Sequence, residues 1–183
     1  MVALIVIGAL IVIVVLWFVA IYNGFIRLRN LCDNSWSDVD VQLKRRYDLI
    51  PNLVNTVKGY AKHEREVFQN VTDARAKATS ATTPVEKSNA ENMLTNALRQ
   101  LFAVVENYPE LKANTTFLDL QKNLSEIEDA IQNARRYYNA VVRDFNIKVE
   151  SFPSNMVALI SNFKKRDFFE IEEGARAVPK VEF

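Results

Sequence analysis

One cysteine, Cys32, and one histidine, His63, are all that 183 residues offer of the two side chains most used to hold metals or run nucleophilic chemistry. A zinc site built from Cys and His ligands cannot be assembled from a single chain of this kind, and no metal is expected. Cys32 has no partner for an internal disulfide, so stability must come from packing, and the chain suits a reducing compartment. Four glycines and five prolines leave little for hairpins or phosphate-cradling loops. The G-x-S-x-G, Walker and G-x-G-x-x-G patterns are missing, so neither catalytic residues nor a cofactor are expected. A formal net charge of +1, with both signs interspersed, gives no electrostatic footprint for nucleic acid. Carboxylates do cluster at Glu126, Glu128 and Asp129 and at Glu170, Glu172 and Glu173, but with polar neighbours and no histidine they read as solvated faces. His63, beside Glu64 and Glu66, reads as an exposed helix residue, with pH sensing as its alternative.

What remains favours helix: Ala, Leu, Asn, Glu, Lys and Arg are abundant, and the expectation is an all-α protein. From Met1 to Tyr22 no side chain is charged, and a run of this length spans the hydrocarbon core of a bilayer. A cleaved signal peptide would show a basic start, a shorter apolar region and a small-x-small cleavage site, none of which is evident. Residues 1–23 are therefore expected to form a transmembrane anchor, with Trp17 and Tyr22 suited to the interfacial aromatic belt. Arg27, Arg29, Lys44, Arg45 and Arg46 follow the run and no Lys or Arg precedes it. The positive-inside rule puts the following domain in the cytoplasm, and the same cations are candidates for headgroup or partner contacts.

Beyond the anchor, residues 24–163 are expected to form the bundle. Heptads counted from Trp36 place Trp36, Leu43, Ile50, Val57, Glu64, Val71 and Ala78 at one position and Val39, Arg46, Leu53, Tyr60, Val67 and Ala74 at the other. That pattern predicts one long coiled-coil-like helix over 24–80, kinked or broken near Pro51, which removes a backbone hydrogen bond. Pro84, with a capping box from Thr83 to Glu86, starts a second helix over 84–108 whose stripe is Leu94, Ala97, Leu98, Leu101, Phe102, Val105 and Tyr108. A third, capped at Thr116 and Asp119, covers 115–152 with Phe117, Leu124, Ile131, Tyr138, Phe145 and Phe152 in heptad register. Pro153 stops it, and a short helix over 154–163 carries Met156, Leu159, Ile160 and Phe163. Residues 164–183 form an apolar-studded tail that should pack somewhere.

The lengths do not match. Counted at helical rise, the first helix from Trp36 is roughly 65 Å long, the second 36 Å and the third 54 Å. With short loops and antiparallel neighbours, the stretch Trp36, Val39, Leu43, Tyr47 and Ile50 has no helix of its own chain obviously beside it. Either the returning tail covers it, or it is a seam for self-association or for a partner, with Trp36 as anchor. Three polar residues interrupt the heptads. Lys148 is expected to snorkel from the bundle edge. Arg46 fixes register, snorkels from the bundle edge, or meets lipid headgroups or a partner, and Glu64 fixes register.

WSDVDVQLKRRYDLIPNLVNTVKGYAKHE at residues 36 to 64 resembles the LemA family of bacterial membrane proteins. ENYPELKANTTFLDLQKNL at 106 to 124, ARRYYNAVVRDFN at 134 to 146 and the closing PKVEF carry the same resemblance. It implies an antiparallel bundle of four helices behind one span in the bacterial inner membrane, and brings no catalytic residues with it. Relatives among magnetosome-membrane proteins hint at membrane organisation. The functional expectation is a non-enzymatic scaffold that homo-oligomerises and organises or shapes the bilayer. Its rival is an adaptor docking another membrane protein, such as a sensor kinase or protease.

Overall fold

The computed structural model describes residues 1–170, and among these every regular element is helical. The elements are α1 (Val2–Tyr60), α2 (Arg65–Ser80), α3 (Pro84–Val105), α4 (Pro109–Lys112), α5 (Thr115–Glu150) and α6 (Ser154–Ile160). The backbone contacts of the described residues divide into two units: residues 1–37 with 137–167, and residues 38–136 with 168–170.

The second unit is an antiparallel four-helix bundle made from α1 beyond Asp38, α2, α3 and the first part of α5. Its first hairpin departs from the sequence expectation, because the long helix does not run to residue 80. It ends at Tyr60, turns through Ala61–Glu64 and returns as α2. Gly59 and the polar run Lys62, His63 and Glu64 make this the weakest helical stretch of the segment, since glycine disfavours the helix interior by about 1 kcal/mol. The heptad phase survives the turn because both arms face the same core: Leu53 and Val57 before it, Val71, Ala74 and Ala78 after it are all buried.

At Pro51, where a kink or break was expected, α1 continues without interruption. The proline withholds the N–H that would bond the Tyr47 carbonyl. Arg75 on α2 supplies the replacement, its Nε donating to the Tyr47 oxygen at 2.7 Å. A defect internal to one helix is thus repaired by the helix packed against it.

α3 begins as the sequence indicates. Thr83 Oγ1 accepts from the Glu86 N–H at 3.2 Å, and the Glu86 carboxylate accepts from the Thr83 N–H at 3.2 Å. The helix stops at Val105, short of Tyr108, because Pro109 bars its predecessor from the α region and Tyr108 sits at φ −124°, ψ 84°. Pro109 then opens the single turn α4. α5 is capped by Asn114, whose Oδ1 accepts from the Phe117 N–H at 3.0 Å, and not by Thr116; a side-chain carbonyl two residues earlier satisfies the N3 amide first.

The first unit pairs α1 as far as Ser37 with the end of α5, and α6 folds back beneath them. Phe25 is fully buried, edge-on to Phe145 at 6.0 Å and stacked on Phe163 at 4.7 Å. Trp36 lies against Tyr138 at 5.1 Å between ring centroids. α6 ends in a Schellman turn: Asn162 takes φ 56°, Phe163 N–H bonds the Ala158 carbonyl at 2.9 Å, and Asn162 N–H bonds that of Leu159 at 3.3 Å. This ends the helix short of residue 163 and turns Phe163 inward. The following chain is held by Asn146, whose amide donates to the Arg166 carbonyl at 2.9 Å and accepts from its N–H at 2.8 Å. Tyr138 Oη donates to the Asp167 carbonyl at 3.0 Å, and Arg166 reaches Asp33 at 2.6 Å. The start of the expected tail therefore packs, while its remainder, 171–183, lies outside the described residues.

Candidate functional site

The most concentrated polar chemistry lies inside the four-helix bundle. Arg46, at a core heptad position of α1, is 2% exposed, and Glu91, one turn before Leu94 on the core face of α3, is 0% exposed. Arg46 Nη1 donates to Glu91 Oε2 at 2.6 Å and Nη2 to Thr95 Oγ1 at 3.1 Å. Its Nε sits 2.9 Å from Glu128 Oε1 of α5, an ion pair too poorly aligned to count as a hydrogen bond. The other Glu91 oxygen accepts from the Tyr47 hydroxyl, which also lies 3.3 Å from the Ala78 carbonyl of α2. Lys87 on α3 pairs with Asp40 on α1. One guanidinium and one phenol therefore tie all four helices at a single level.

Burial governs the titration of this cluster. Loss of hydration pushes the Tyr47 phenol far above its ordinary value, and the facing Glu91 charge pushes it further. Burial also raises the Glu128 carboxyl, against the pull of Arg46. In the first unit, desolvation carries Tyr138 up to about 12 and outweighs the opposing Arg166 charge. The same effect raises the Cys32 thiol, away from the thiolate that reactivity or metal binding requires.

Both oxygens of Glu91 are engaged by protein groups, and each charge in the cluster faces one of opposite sign. Paired buried ions of this kind are better at specifying which residues face one another than at adding net stability. Among the described residues no group of His, Cys, Asp and Glu is placed to share a metal ion.

The sequence candidates fare unevenly. Val39, Leu43, Tyr47 and Ile50 are 0–5% exposed, so the seam expected to await another copy or a partner is part of this chain's own core. The expectation failed because it took α2 for the continuation of α1. As a hairpin arm, α2 lies beside Tyr47 and brings α3 with it. Trp36, half-buried in the first unit, packs on Tyr138. Arg46 is withdrawn from the headgroup candidates, since its charge is spent on Glu91 and Glu128. Arg27, Arg29, Lys44 and Arg45 are exposed. Lys44 bonds Asp48 at 2.8 Å, and Arg45 bonds Gln42 at 2.9 Å.

Lys148 is half-buried, its ammonium 5.0 Å from the centre of the Phe25 ring. Desolvation lowers its pKa. Glu64 is half-buried in the turn between α1 and α2. Glu128, read as solvated, belongs to the Arg46 pair. Glu91 was missed altogether. Its signal was a carboxylate at the head of the apolar stripe of α3, matching the cation that breaks the stripe of α1.

Near its N-terminus, α1 carries an apolar stretch of mean hydropathy 3.3 that is long enough to cross a membrane, and none of that window is buried by the rest of the chain. The chain is similar to magnetosome protein MamQ 2 of Paramagnetospirillum magneticum, 28% identical over 175 aligned positions, taking in 81% of this chain and 64% of the relative. To MamQ of Magnetospirillum gryphiswaldense it is 25% identical, with the same shares covered. To protein LemA of Metamycoplasma hominis it is 31% identical over 140 positions, 74% of this chain and 63% of that protein. It thus spans somewhat less than two thirds of the length of these relatives. The LemA family profile matches residues 35–183, and the chain belongs to the LemA family.

Proposed function

We propose that this protein is a non-enzymatic, membrane-anchored helical scaffold that self-assembles and organises or shapes the bilayer holding it, with the chain beyond residue 23 in the cytoplasm of a bacterial cell. The observation that carries this reading is the uncovered apolar window of α1, joined to a bundle whose buried charges are all committed to one another. The magnetosome names of two relatives agree with a role at a membrane. Because the Val39–Ile50 seam is internal, self-assembly on this reading uses the span or exposed faces of the helices. The mass of full-length protein in mild detergent and in nanodiscs tests it. Large homo-oligomers in both support the scaffold, whereas a monomer in both refutes self-assembly.

One feature favours an adaptor as the second reading. At the bend between α1 and α2 a shallow depression is lined by Lys58, Lys62, Arg65, Phe68, Gln69 and Thr72. The Lys58 ammonium lies 5.5 Å from the Phe68 ring centre. Three cations around one aromatic suit an acidic segment of a partner protein. A monomer that retains one acidic membrane protein through crosslinking, and loses it in Lys62→Glu/Arg65→Glu, would replace the scaffold with this reading.

A further inference from the structure

Residues 151–163 form a stretch of thirteen without a charged side chain, lying between Glu150 and Lys164. In the first unit this stretch is the turn around Phe152, then α6 and its Schellman cap. Only one side of it packs inward: Val157 and Ala158 are 1% and 2% exposed. The other side is bare, with Phe152 at 80%, Met156 at 54%, Leu159 at 85% and Ile160 at 72%. Single exposed apolar residues are ordinary on a protein surface, but a contiguous group of large ones marks a surface that something apolar covers.

Its position along α1 says what the cover is. Phe163, the residue that closes α6, stacks on Phe25 and lies 5.7 Å from the Tyr22 ring. Tyr22 is the last residue of the uncharged apolar run and suits the interfacial belt. α6 therefore sits beside the point where α1 leaves the hydrocarbon. Cations follow both the apolar run and the patch along the chain: Arg27, Arg29 and Lys164 are exposed, and Lys165 pairs with Glu150 at 2.7 Å. Bulky apolar residues at the level of the span's end, with basic residues just beyond, match the profile of an amphipathic element lying in the headgroup boundary.

We infer that α6 and the Phe152 turn rest in the bilayer interface as a second, non-spanning membrane contact, with Phe152, Met156, Leu159 and Ile160 inserted among the acyl chains of the leaflet that α1 exits. The contact gives α1 a neighbour in the same leaflet, so the first unit is held to the membrane at two places rather than swivelling on one helix. The inference rests on the reading of the N-terminal run as a span, and the experiment separates the two. Full-length protein carrying Cys32→Ser is spin-labelled at Leu10→Cys, Leu159→Cys or Glu126→Cys and reconstituted in nanodiscs of phosphatidylethanolamine and phosphatidylglycerol. Power saturation then compares oxygen with a water-soluble nickel chelate. The expected result is an oxygen-to-chelate ratio at 159 several-fold above that at 126, approaching that at 10. A high ratio at 10 with a water-like ratio at 159 overturns the interfacial contact and keeps the span. A water-like ratio at 10 overturns both. A label at 159 shielded from oxygen and chelate alike shows a second protein covering the patch, which also overturns it.

Discussion

Replacing Arg46 by methionine keeps much of the side-chain volume and removes the cation. Glu91, with no exposed surface, would then hold its charge in the core against the Tyr47 hydroxyl alone. Breaking one side of a buried pair in this way costs about 3–5 kcal/mol. For a chain of this size that corresponds to a melting-temperature drop of about 6–20 °C. Glu91→Met alone should be milder, about 1–3 kcal/mol, because Arg46 keeps its contact with the partly exposed Glu128. The double variant Arg46→Met/Glu91→Met presents apolar groups on both sides and should return to within about 1 kcal/mol of the parent. The assay is far-UV circular dichroism of full-length protein in detergent, through urea and thermal unfolding, with all four proteins forming a double-mutant cycle. Additive losses, or Arg46→Met unfolding within about 1 kcal/mol of the parent, would show that the cluster is not a mutually dependent unit.

Arg75→Met strands the Tyr47 carbonyl that Pro51 leaves open and should cost about 1–3 kcal/mol, while adding Pro51→Ala restores an amide donor and recovers most of it in the same unfolding assay. Thr83→Ala should lose about 0.5–2 kcal/mol from the start of α3. Hydrogen bonds from the Thr83 and then the Thr82 backbone hold the Glu86 carboxyl below its ordinary 4.5. A depressed acid stabilises the fold fully above that ordinary value and loses the effect as pH falls through the folded one, so Glu86→Gln should flatten the acid limb of the stability profile. Asn146→Ala removes both bonds to the Arg166 backbone, and limited trypsin digestion should then cut at Lys164–Arg166 well before the parent is cut there.

The N-terminal apolar helix, the all-helical class and the starts of α3 and α6 were legible because each depends on residues close in sequence: an uncharged run, a heptad, a Thr-Pro-x-Glu box, a proline. The break at Ala61–Glu64 was not, since both arms of the hairpin keep the same heptad phase, and periodicity reports which face is buried without reporting direction along the axis. That single ambiguity left the Val39–Ile50 seam without its true neighbours and turned core residues into interface candidates. Arg46 was seen as an exception but not understood. Its meaning lay in Glu91, 45 positions further on, and only the returning hairpin brings the two together.

The bond from Arg75 to the Tyr47 carbonyl also sets an order of events. Until residue 75 has been made, the first helix carries an unanswered carbonyl at the turn that Pro51 spoils, and that turn is the cheapest place for it to fray. The emerging chain is therefore free to bend there until the second arm exists. It loses that freedom when the second arm swings back and its guanidinium docks. One proline and one arginine thus act as a latch, loose in the open chain and set once the hairpin closes.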